Sequence, residues 1–337
     1  MRPHGGQYLK KSSGVLCERE PVKYAFILAE LMASPLSVVC GVLKVTQSGF
    51  HAWRGRAPSK RDQERDRLSE NIREVFDAHR GRYGAPRIYR VMCEREGYTG
   101  SLNRIQSLMR AMKLRAKAGR KYKATTDSTH ALPVAPNLLG QDFSCDTRAE
   151  STSHAKAPDQ VWLSDITYLW TREGWLYVCA VLDLFTRRIV GWAIAQHMTR
   201  QLVLDALQMA NATRKPGAGL IFHSDRGSQY ASAEVRKWLL QKAMRQSMSG
   251  TGNCYDNAPM EIFWHSLKVE ETQGQDFATR AQAKHCVFAY IEGWYNTTRM
   301  HSSLGYKSPV QFERDCVTQS IKVANDSHSA RLTKRAG

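Results

Sequence analysis

The most constraining feature of the sequence is an apolar segment with a single carboxylate at its centre. Residues 161–169 are rich in β-branched and aromatic side chains, which predicts a buried β-strand. A charge inside such a strand is costly unless something pairs with it. Asp165 is therefore either a structural aspartate satisfied by its neighbours or a metal ligand at the centre of a sheet. Partners elsewhere in the chain must decide between these interpretations.

The segments that follow Asp165 predict a small mixed sheet. Two more strands come next, with short breaks that favour an antiparallel meander, and then a helix capped by Thr199, a strand that ends on Asp225, a second helix and a fifth strand. The predicted strands after the first are residues 175–184, 188–195, 219–225 and 245–248. Three strands followed by α-β-α-β is the order of a ribonuclease H-like sheet, whose first strand is central and whose fourth adjoins it. This order predicts an α/β fold in which Asp165 and Asp225 are neighbours.

Neighbouring carboxylates repel each other unless a divalent cation lies between them, so Asp225 favours the metal-ligand interpretation of Asp165. A loop over residues 249–257 contains Gly and Asn, and Pro259 then begins a helix. Glu261 lies in the first turn of this helix. Lys268 follows seven residues later, two turns along the same face. The pattern predicts an acidic metal site with a cation placed for a phosphodiester.

Other ionisable residues near these positions are not predicted to bind the metal. His223 lies in an apolar strand, where packing is the more common role, and His265 faces either DNA or solvent. We expect Asp183 to be structural and Asp256 to lie near the site without binding metal. Glu270 and Glu271 are expected to form a solvated face.

The charge predicts a polyanionic partner, and nucleic acid is the one that it favours. The net charge is +18, and residues 1–140 hold 26 Lys and Arg against 12 Asp and Glu, whereas the remaining residues hold 23 against 19. Helical patterns over residues 21–60 have helix-turn-helix spacing, although an ordinary helical hairpin would give the same pattern. Residues 61–125 predict a three-helix unit with a basic extension. The predicted DNA contacts are Arg87, Arg115, Lys117, Arg120, Lys121, Lys123, His265 and Lys268.

The predicted organisation has seven parts. These are a polar tail (1–20), a helix-turn-helix-like unit (21–60), a basic three-helix unit (61–125), a linker (126–158), the ribonuclease H-like core (159–272), its C-terminal helical part (273–315) and a disordered basic tail (316–337). The eight cysteines form no Cys-x-x-Cys pair, so a disulfide framework or structural zinc site is not expected. No apolar run reaches the ~20 residues of a membrane span. We therefore expect a cytoplasmic protein.

Asp165, Asp225 and Glu261, with 35 residues between the last two, resemble the Asp-Asp-35-Glu pattern of insertion-sequence transposases and retroviral integrases. The flanking motifs resemble the second-frame (OrfB) transposases of the IS3 family. The matching stretches are residues 48–53, 82–88, 162–168, 223–230, 252–261 and 294–306.

The resemblance implies a DDE transposase that cleaves transposon ends and joins them to target DNA. It implies that Asp165, Asp225 and Glu261 bind two Mg²⁺ ions, with Mn²⁺ able to substitute. It also implies a homo-oligomer on double-stranded DNA in the bacterial nucleoid, with the upstream-frame (OrfA) product as a further partner.

The sequence departs from the family pattern in three places. Met300 stands where the family usually has Pro, residues 145–157 form a longer linker, and the upstream-frame part is expected to be missing or reduced to residues 1–20. Two alternatives stay open. One is a ribonuclease H-like nuclease that only cuts, and the other is a helix-turn-helix repressor or inactive transposase relic.

Overall fold

The computed structural model describes residues 15, 17–30, 35–57, 59–118, 132–145, 153–250 and 254–319. The chain divides into two compact units, Met1–Arg73 and Glu74–Gly337. Several sequence-based expectations lie outside the described residues. They are the polar tail up to residue 14, most of the basic tail, the linker residues 146–152, and the DNA-contact candidates Arg120, Lys121 and Lys123.

The first unit contains three short helices, α1 (Glu20–Glu30), α2 (Leu36–Leu43) and α3 (Gln47–Arg54), and most of α4 (Lys60–Ala78). The helices α1 to α3 share one apolar core. Thr46 caps the start of α3, because its Oγ1 accepts a hydrogen bond from the Gly49 amide at 3.0 Å. The buried side chains of this core are Tyr24, Ile27, Val39, Cys40, Leu43 and Phe50.

Two further helices open the second unit, α5 (Ala85–Glu96) and α6 (Leu102–Ala111). Gly97 ends α5 with a left-handed φ of 62°, a conformation that glycine adopts without strain. The Ser101 hydroxyl begins α6 by accepting a hydrogen bond from the Arg104 amide at 3.3 Å. Glycine after a helix and serine before one are the residue types typical of these boundaries.

A five-stranded mixed sheet forms the centre of the second unit. Its strands are β1 (Val161–Thr171), β2 (Gly174–Asp183), β3 (Ile189–Ala195), β4 (Ile221–Ser224) and β5 (Arg245–Met248). The spatial order is β3-β2-β1-β4-β5, with β1, β2 and β3 antiparallel and with β4 parallel to both β1 and β5. The predicted order is confirmed, and β1 is central with β4 beside it.

Helices α7 (Arg200–Arg214) and α8 (Ala233–Gln241) cover one face of the sheet. Gly191 allows the close approach of α7, because a Cβ at this position would collide with the Ala206 carbonyl. Thr199 precedes α7 as predicted, but its side chain makes no capping hydrogen bond. Residues 132–145 contact the outer strand, where the Leu138 amide donates to the Ser247 hydroxyl at 2.9 Å.

The C-terminal helices follow the sheet. They are α9 (Ala258–Leu267), continued by a π-helical turn (Lys268–Thr272), and α10 (Arg280–Tyr290), continued by a second π-helical turn (Ile291–Tyr295). Residues 309–319 are also helical. The Asn296 side chain fixes this region to the sheet by bonding both the amide and the carbonyl of Ile189, at 2.9 and 3.0 Å. Within the described residues, no helix has the length and apolar character needed to cross a membrane.

Candidate active site

Asp165 lies on the central strand immediately beyond the point where β4 ends. The last β1–β4 pair joins Ser164 to Ser224, so Asp165 is half-buried at the edge of the paired region. Its Oδ1 accepts from the Ile166 amide at 2.8 Å, and its Oδ2 accepts from the Trp264 indole nitrogen at 3.1 Å. Both donors are neutral, so these hydrogen bonds orient the carboxylate without neutralising its charge.

Asp225 follows β4 directly and is also half-buried. Its Oδ1 accepts from the Gly227 amide at 3.0 Å, which fixes the turn after the strand. Burial raises the pKa of Asp165 well above its ordinary value, and the Asp225 carboxylate raises it further. The structure therefore brings the two aspartates together, as the strand order predicts.

Glu261 is exposed in the first turn of α9. Desolvation raises the pKa of Glu261, and its charge makes a smaller contribution to the raised pKa of Asp165. In the described part of the chain, no three His, Cys, Asp or Glu side chains lie close enough together to form a metal-binding group. Glu261 is thus within electrostatic reach of the aspartates without forming a closed ligand set with them.

The donor chemistry of this region fits a hard divalent cation. The converging groups are carboxylates, and oxygen ligands are those that Mg²⁺ and Mn²⁺ prefer. Desolvation and mutual repulsion hold the pKa of Asp165 high, and a cation between the two aspartates would relieve that repulsion.

Lys268, in the π-helical turn after α9, lies within electrostatic reach of Asp165. Its Nζ stands 5.5 Å from the centre of the Tyr168 ring. Burial lowers the pKa of Lys268, while Tyr168 and Asp165 act in the opposite direction. A cation at the end of α9 is therefore within electrostatic reach of Asp165.

His223, Asp256 and Asp183, which the sequence does not predict to bind metal, are held by hydrogen bonds. His223 is fully buried between the Ser247 hydroxyl, 2.8 Å from Nδ1, and the Asp256 carbonyl, to which Nε2 donates at 2.9 Å. Burial lowers its pKa to about 4, so it is a neutral packing residue. Asp256 accepts from Asn137 at 3.0 Å. Asp183 is buried, accepts from the Thr186 amide and hydroxyl at 2.8 and 2.7 Å, and has a pKa raised by burial to about 6.

The expectation of a solvated Glu270–Glu271 face was wrong. Glu270 is buried and pairs with Arg299, whose Nη2 lies 2.7 Å from Oε1. It also accepts from the Tyr290 hydroxyl at 3.0 Å and the Trp294 indole at 3.1 Å. Glu271 pairs with the buried Arg82. The polar sequence of this segment suggested exposure to solvent. The partners that bury the two glutamates come from distant parts of the chain, so the local pattern does not reveal them.

The remaining predicted DNA contacts lie in different environments. Arg115 and His265 are exposed. Arg87 is half-buried, and its Nε donates to the Met300 carbonyl at 3.0 Å, so part of its role is to hold the C-terminal loop. Lys117 donates to the Glu270 carbonyl at 2.8 Å. Both residues therefore connect the α5–α6 region to the C-terminal helices.

Sequence reasoning missed two residues that position the site. Trp264 holds Asp165, and its place three residues after Glu261 on the same helix was the available signal. Asn257 precedes α9 and donates to the Ser164 carbonyl at 3.1 Å, which connects the start of the helix to the central strand.

Comparison with known proteins agrees with this architecture. Two integrase core domain models match, one over residues 155–254 and the other over residues 261–316, and an HTH-like domain model matches residues 63–122. Transposase InsF for insertion sequence IS3A of Escherichia coli (strain K12) is 42% identical over 294 residues, which cover 87% of this chain and 98% of that relative. The chain belongs to the IS3 family of insertion-sequence transposases. Its integrase core makes it a DDE transposase.

A second relative of this IS3-family chain is an uncharacterized 31 kDa protein of insertion element IS600 from Shigella sonnei. It is 42% identical over 274 residues, which cover 81% of this chain and 97% of the relative. Among solved structures, the HTLV-2 integrase catalytic core domain in complex with magnesium (dimeric form) is 12% identical, with a TM-score of 0.35. That match covers 46% of this chain and 97% of the integrase domain.

Proposed function

We propose that this transposase cleaves DNA at transposon ends and joins the freed 3′ ends to target DNA by transesterification. Asp165, Asp225 and Glu261 are the proposed catalytic carboxylates. The observation that carries the proposal is the juxtaposition of Asp165 and Asp225 at the end of paired central strands, with the pKa of Asp165 raised by burial and by the second carboxylate. Such a pair is unfavourable in a protein that only binds DNA, and it suits a metal-dependent phosphoryl transferase.

The three carboxylates would hold two Mg²⁺ ions, or Mn²⁺ in their place. Such ions activate a water or a 3′-hydroxyl as nucleophile and stabilise the departing 3′-oxygen. Within the chain, the Trp264 indole keeps one oxygen of Asp165 engaged and so limits the orientations of this carboxylate. Lys268 is within electrostatic reach of Asp165 and would bind the phosphodiester there. His265, exposed on α9, would contact the DNA farther along the same helix.

Double-stranded DNA is the proposed partner, both as transposon end and as target, and the active form is proposed to be a homo-oligomer on DNA in the cytoplasm. The HTH-like match over residues 63–122 and the net charge of +18 support DNA binding. Arg87, Arg115, Lys117, Arg120, Lys121 and Lys123 are the proposed contacts outside the core. The upstream-frame product is a proposed additional partner.

The test uses duplexes that end in the DNA flanking the gene, supplied with pre-cut 3′ ends. We expect Asp165→Asn, Asp225→Asn and Glu261→Gln each to abolish Mg²⁺-dependent strand transfer while duplex binding persists. The matched control is Asp205→Asn, an exposed aspartate on α7, which should transfer strands normally. Retained strand transfer in any of the three variants would overturn the triad.

The alternative proposal is a repressor or inactive relic that only binds DNA, and the HTH-like match is the observation in its favour. A duplex carrying an uncut transposon end distinguishes it. Metal-dependent cleavage by the unaltered chain excludes the repressor, whereas binding with no cleavage in either Mg²⁺ or Mn²⁺ excludes the enzyme. A nuclease that only cuts would cleave this duplex but fail to join pre-cut ends.

A further inference from the structure

Four aromatic side chains occupy one face of the β1–β2 hairpin. Tyr168 lies opposite Tyr177, and Trp170 lies opposite Trp175. These positions alternate along each strand, so their side chains share one face. The Trp175 ring centre is 5.0 Å from that of Tyr168 and 4.8 Å from that of Trp170. The four rings form a continuous aromatic ladder that ends at the hairpin tip.

The outer part of this ladder is open to solvent. Trp170 is 58% exposed and Trp175 is 44% exposed. All eight tryptophans lie in the described residues, and these two are the exposed ones. Cross-strand aromatic pairs stabilise a hairpin, but this role does not require two indoles to face water. Exposed indoles beside one another suit a ligand that has its own flat aromatic faces.

The hairpin tip is held in place by the start of α10 and the residues just before it. The Arg172 amide donates to the Phe277 carbonyl at 3.0 Å. Arg280 donates through its amide to the Glu173 carboxylate at 2.8 Å and through Nε to the Trp175 carbonyl at 3.2 Å. These contacts fix the backbone that carries the two exposed indoles. A fixed platform loses less conformational entropy when a ligand binds.

The inner end of the ladder reaches Lys268, because Tyr168 is the ring beside Lys268 Nζ. Asp165 lies three residues earlier on the same strand, so its side chain projects from the opposite face, and the two faces meet at the edge of β1 that β4 leaves unpaired after Ser164. Because β4 pairs with β1 only as far as Ser164, the described structure has no strand beyond that point on this edge of β1. Trp170 lies about 17 Å from Asp165 along the strand, the length of about five stacked nucleotides.

We infer that Trp170 and Trp175 form a stacking site for unpaired bases of the DNA strand that leads away from the scissile phosphate. This inference rests on the proposed function, which places the phosphate at Asp165 and Lys268. Two exposed side chains offer far less area than the ~800 Å² per partner of a stable protein interface. They are sufficient, however, to stack one or two bases. The basic character of the chain also favours a nucleic-acid ligand over a protein surface.

The test measures binding of the full chain to a fluorescent oligothymidine and to a duplex of equal length, in EDTA. We expect the double variant Trp170→Ala, Trp175→Ala to bind oligothymidine about tenfold more weakly or worse, while duplex affinity stays within about twofold. The double variant Trp170→Phe, Trp175→Phe keeps aromatic faces and should retain most of the affinity. The matched control is Leu240→Ala, which alters an apolar residue 77% exposed on α8 and should change neither affinity.

Three results would overturn the stacking site. They are unchanged oligothymidine affinity in the alanine variant, an equal loss on oligothymidine and duplex, and an altered sedimentation coefficient without DNA, which would assign the indoles to contact with a second copy. Failure of the triad gives a different result. Binding in EDTA does not require the metal-binding carboxylates, so it tests the tryptophans alone. Strand transfer by Asp165→Asn would refute the triad and would leave the result of the EDTA binding test unchanged.

Discussion

At the scale of single residues, the Trp264 indole is the group whose role can be tested most directly. It donates to Asp165 Oδ2 at 3.1 Å from a buried position on α9. Groups that orient a metal ligand commonly contribute 10- to 100-fold to metal affinity. We expect Trp264→Phe to weaken Mn²⁺ binding about tenfold in calorimetric titrations, because Asp165 loses its side-chain donor.

Trp238→Phe is the matched control for this substitution. Trp238 is half-buried on α8 and packs against the sheet core, away from the carboxylates. The Trp238→Phe variant should leave Mn²⁺ affinity unchanged. If Trp264→Phe also leaves the affinity unchanged, Trp264 packs beside Asp165 without orienting it.

The sequence predicted the aspartate pair but not the groups around it. Strand order alone places Asp165 beside Asp225, because parallel neighbours in a sheet bring corresponding ends together. The packing role of His223 also followed from its apolar strand. The Trp264–Asp165 hydrogen bond spans 99 residues, and Glu270 and Arg299 are 29 residues apart. No local periodicity reports such contacts, because they depend on how α9 and the C-terminal loop pack onto the sheet.

At the scale of elements, the π-helical turn after α9 is held by one buried charge network. Glu270 accepts from Arg299, Tyr290 and Trp294, and Arg299 also donates to the Ser266 hydroxyl at 2.9 Å. Removing one charge from a buried pair leaves the other uncompensated. We expect Glu270→Gln to lower the free energy of unfolding by about 3 kcal/mol at pH 7, measured by urea denaturation. Glu234→Gln, which breaks an exposed pair with Arg200, should cost less than about 1 kcal/mol.

The same network predicts a pH dependence. Burial raises the pKa of Glu270, but Arg299 and the hydrogen bonds outweigh it, and the net pKa lies below the ordinary value. A carboxyl with a lowered folded-state pKa stabilises the protein above its unfolded pKa, about 4.3 for glutamate, and this stabilisation is lost as the pH falls through the folded-state value. The difference in unfolding free energy between the unaltered chain and Glu270→Gln should therefore be constant near neutral pH and shrink below about pH 4. A difference that grows on acidification would contradict this sign.

At the scale of the whole molecule, charge and folding are coupled in the α5–α6 region. The sequence alone suggests deletion of residues 1–125 to remove the basic part. The structure argues against that experiment, because Arg82 pairs with Glu271, Tyr83 donates to the Thr298 carbonyl at 3.0 Å, and Lys117 donates to the Glu270 carbonyl. Deletion would remove these ion-pair and hydrogen-bond partners of the C-terminal helices. Substitution of exposed cations separates DNA binding from these contacts.

Three exposed cations line a groove at the end of α6, namely Arg110, Lys113 and Arg115. Each phosphate neutralised by a cation contributes about −0.9 to the slope of log affinity against log salt concentration. We expect the triple glutamine variant to bind duplex DNA more weakly and to reduce the steepness of this slope by up to about 2.7, with unchanged urea stability. The matched control replaces three exposed cations of the core, Lys237, Lys242 and Arg245, and so removes the same net charge. If both variants change the slope equally, the salt dependence follows from total charge, and the α6 groove is not a specific DNA contact.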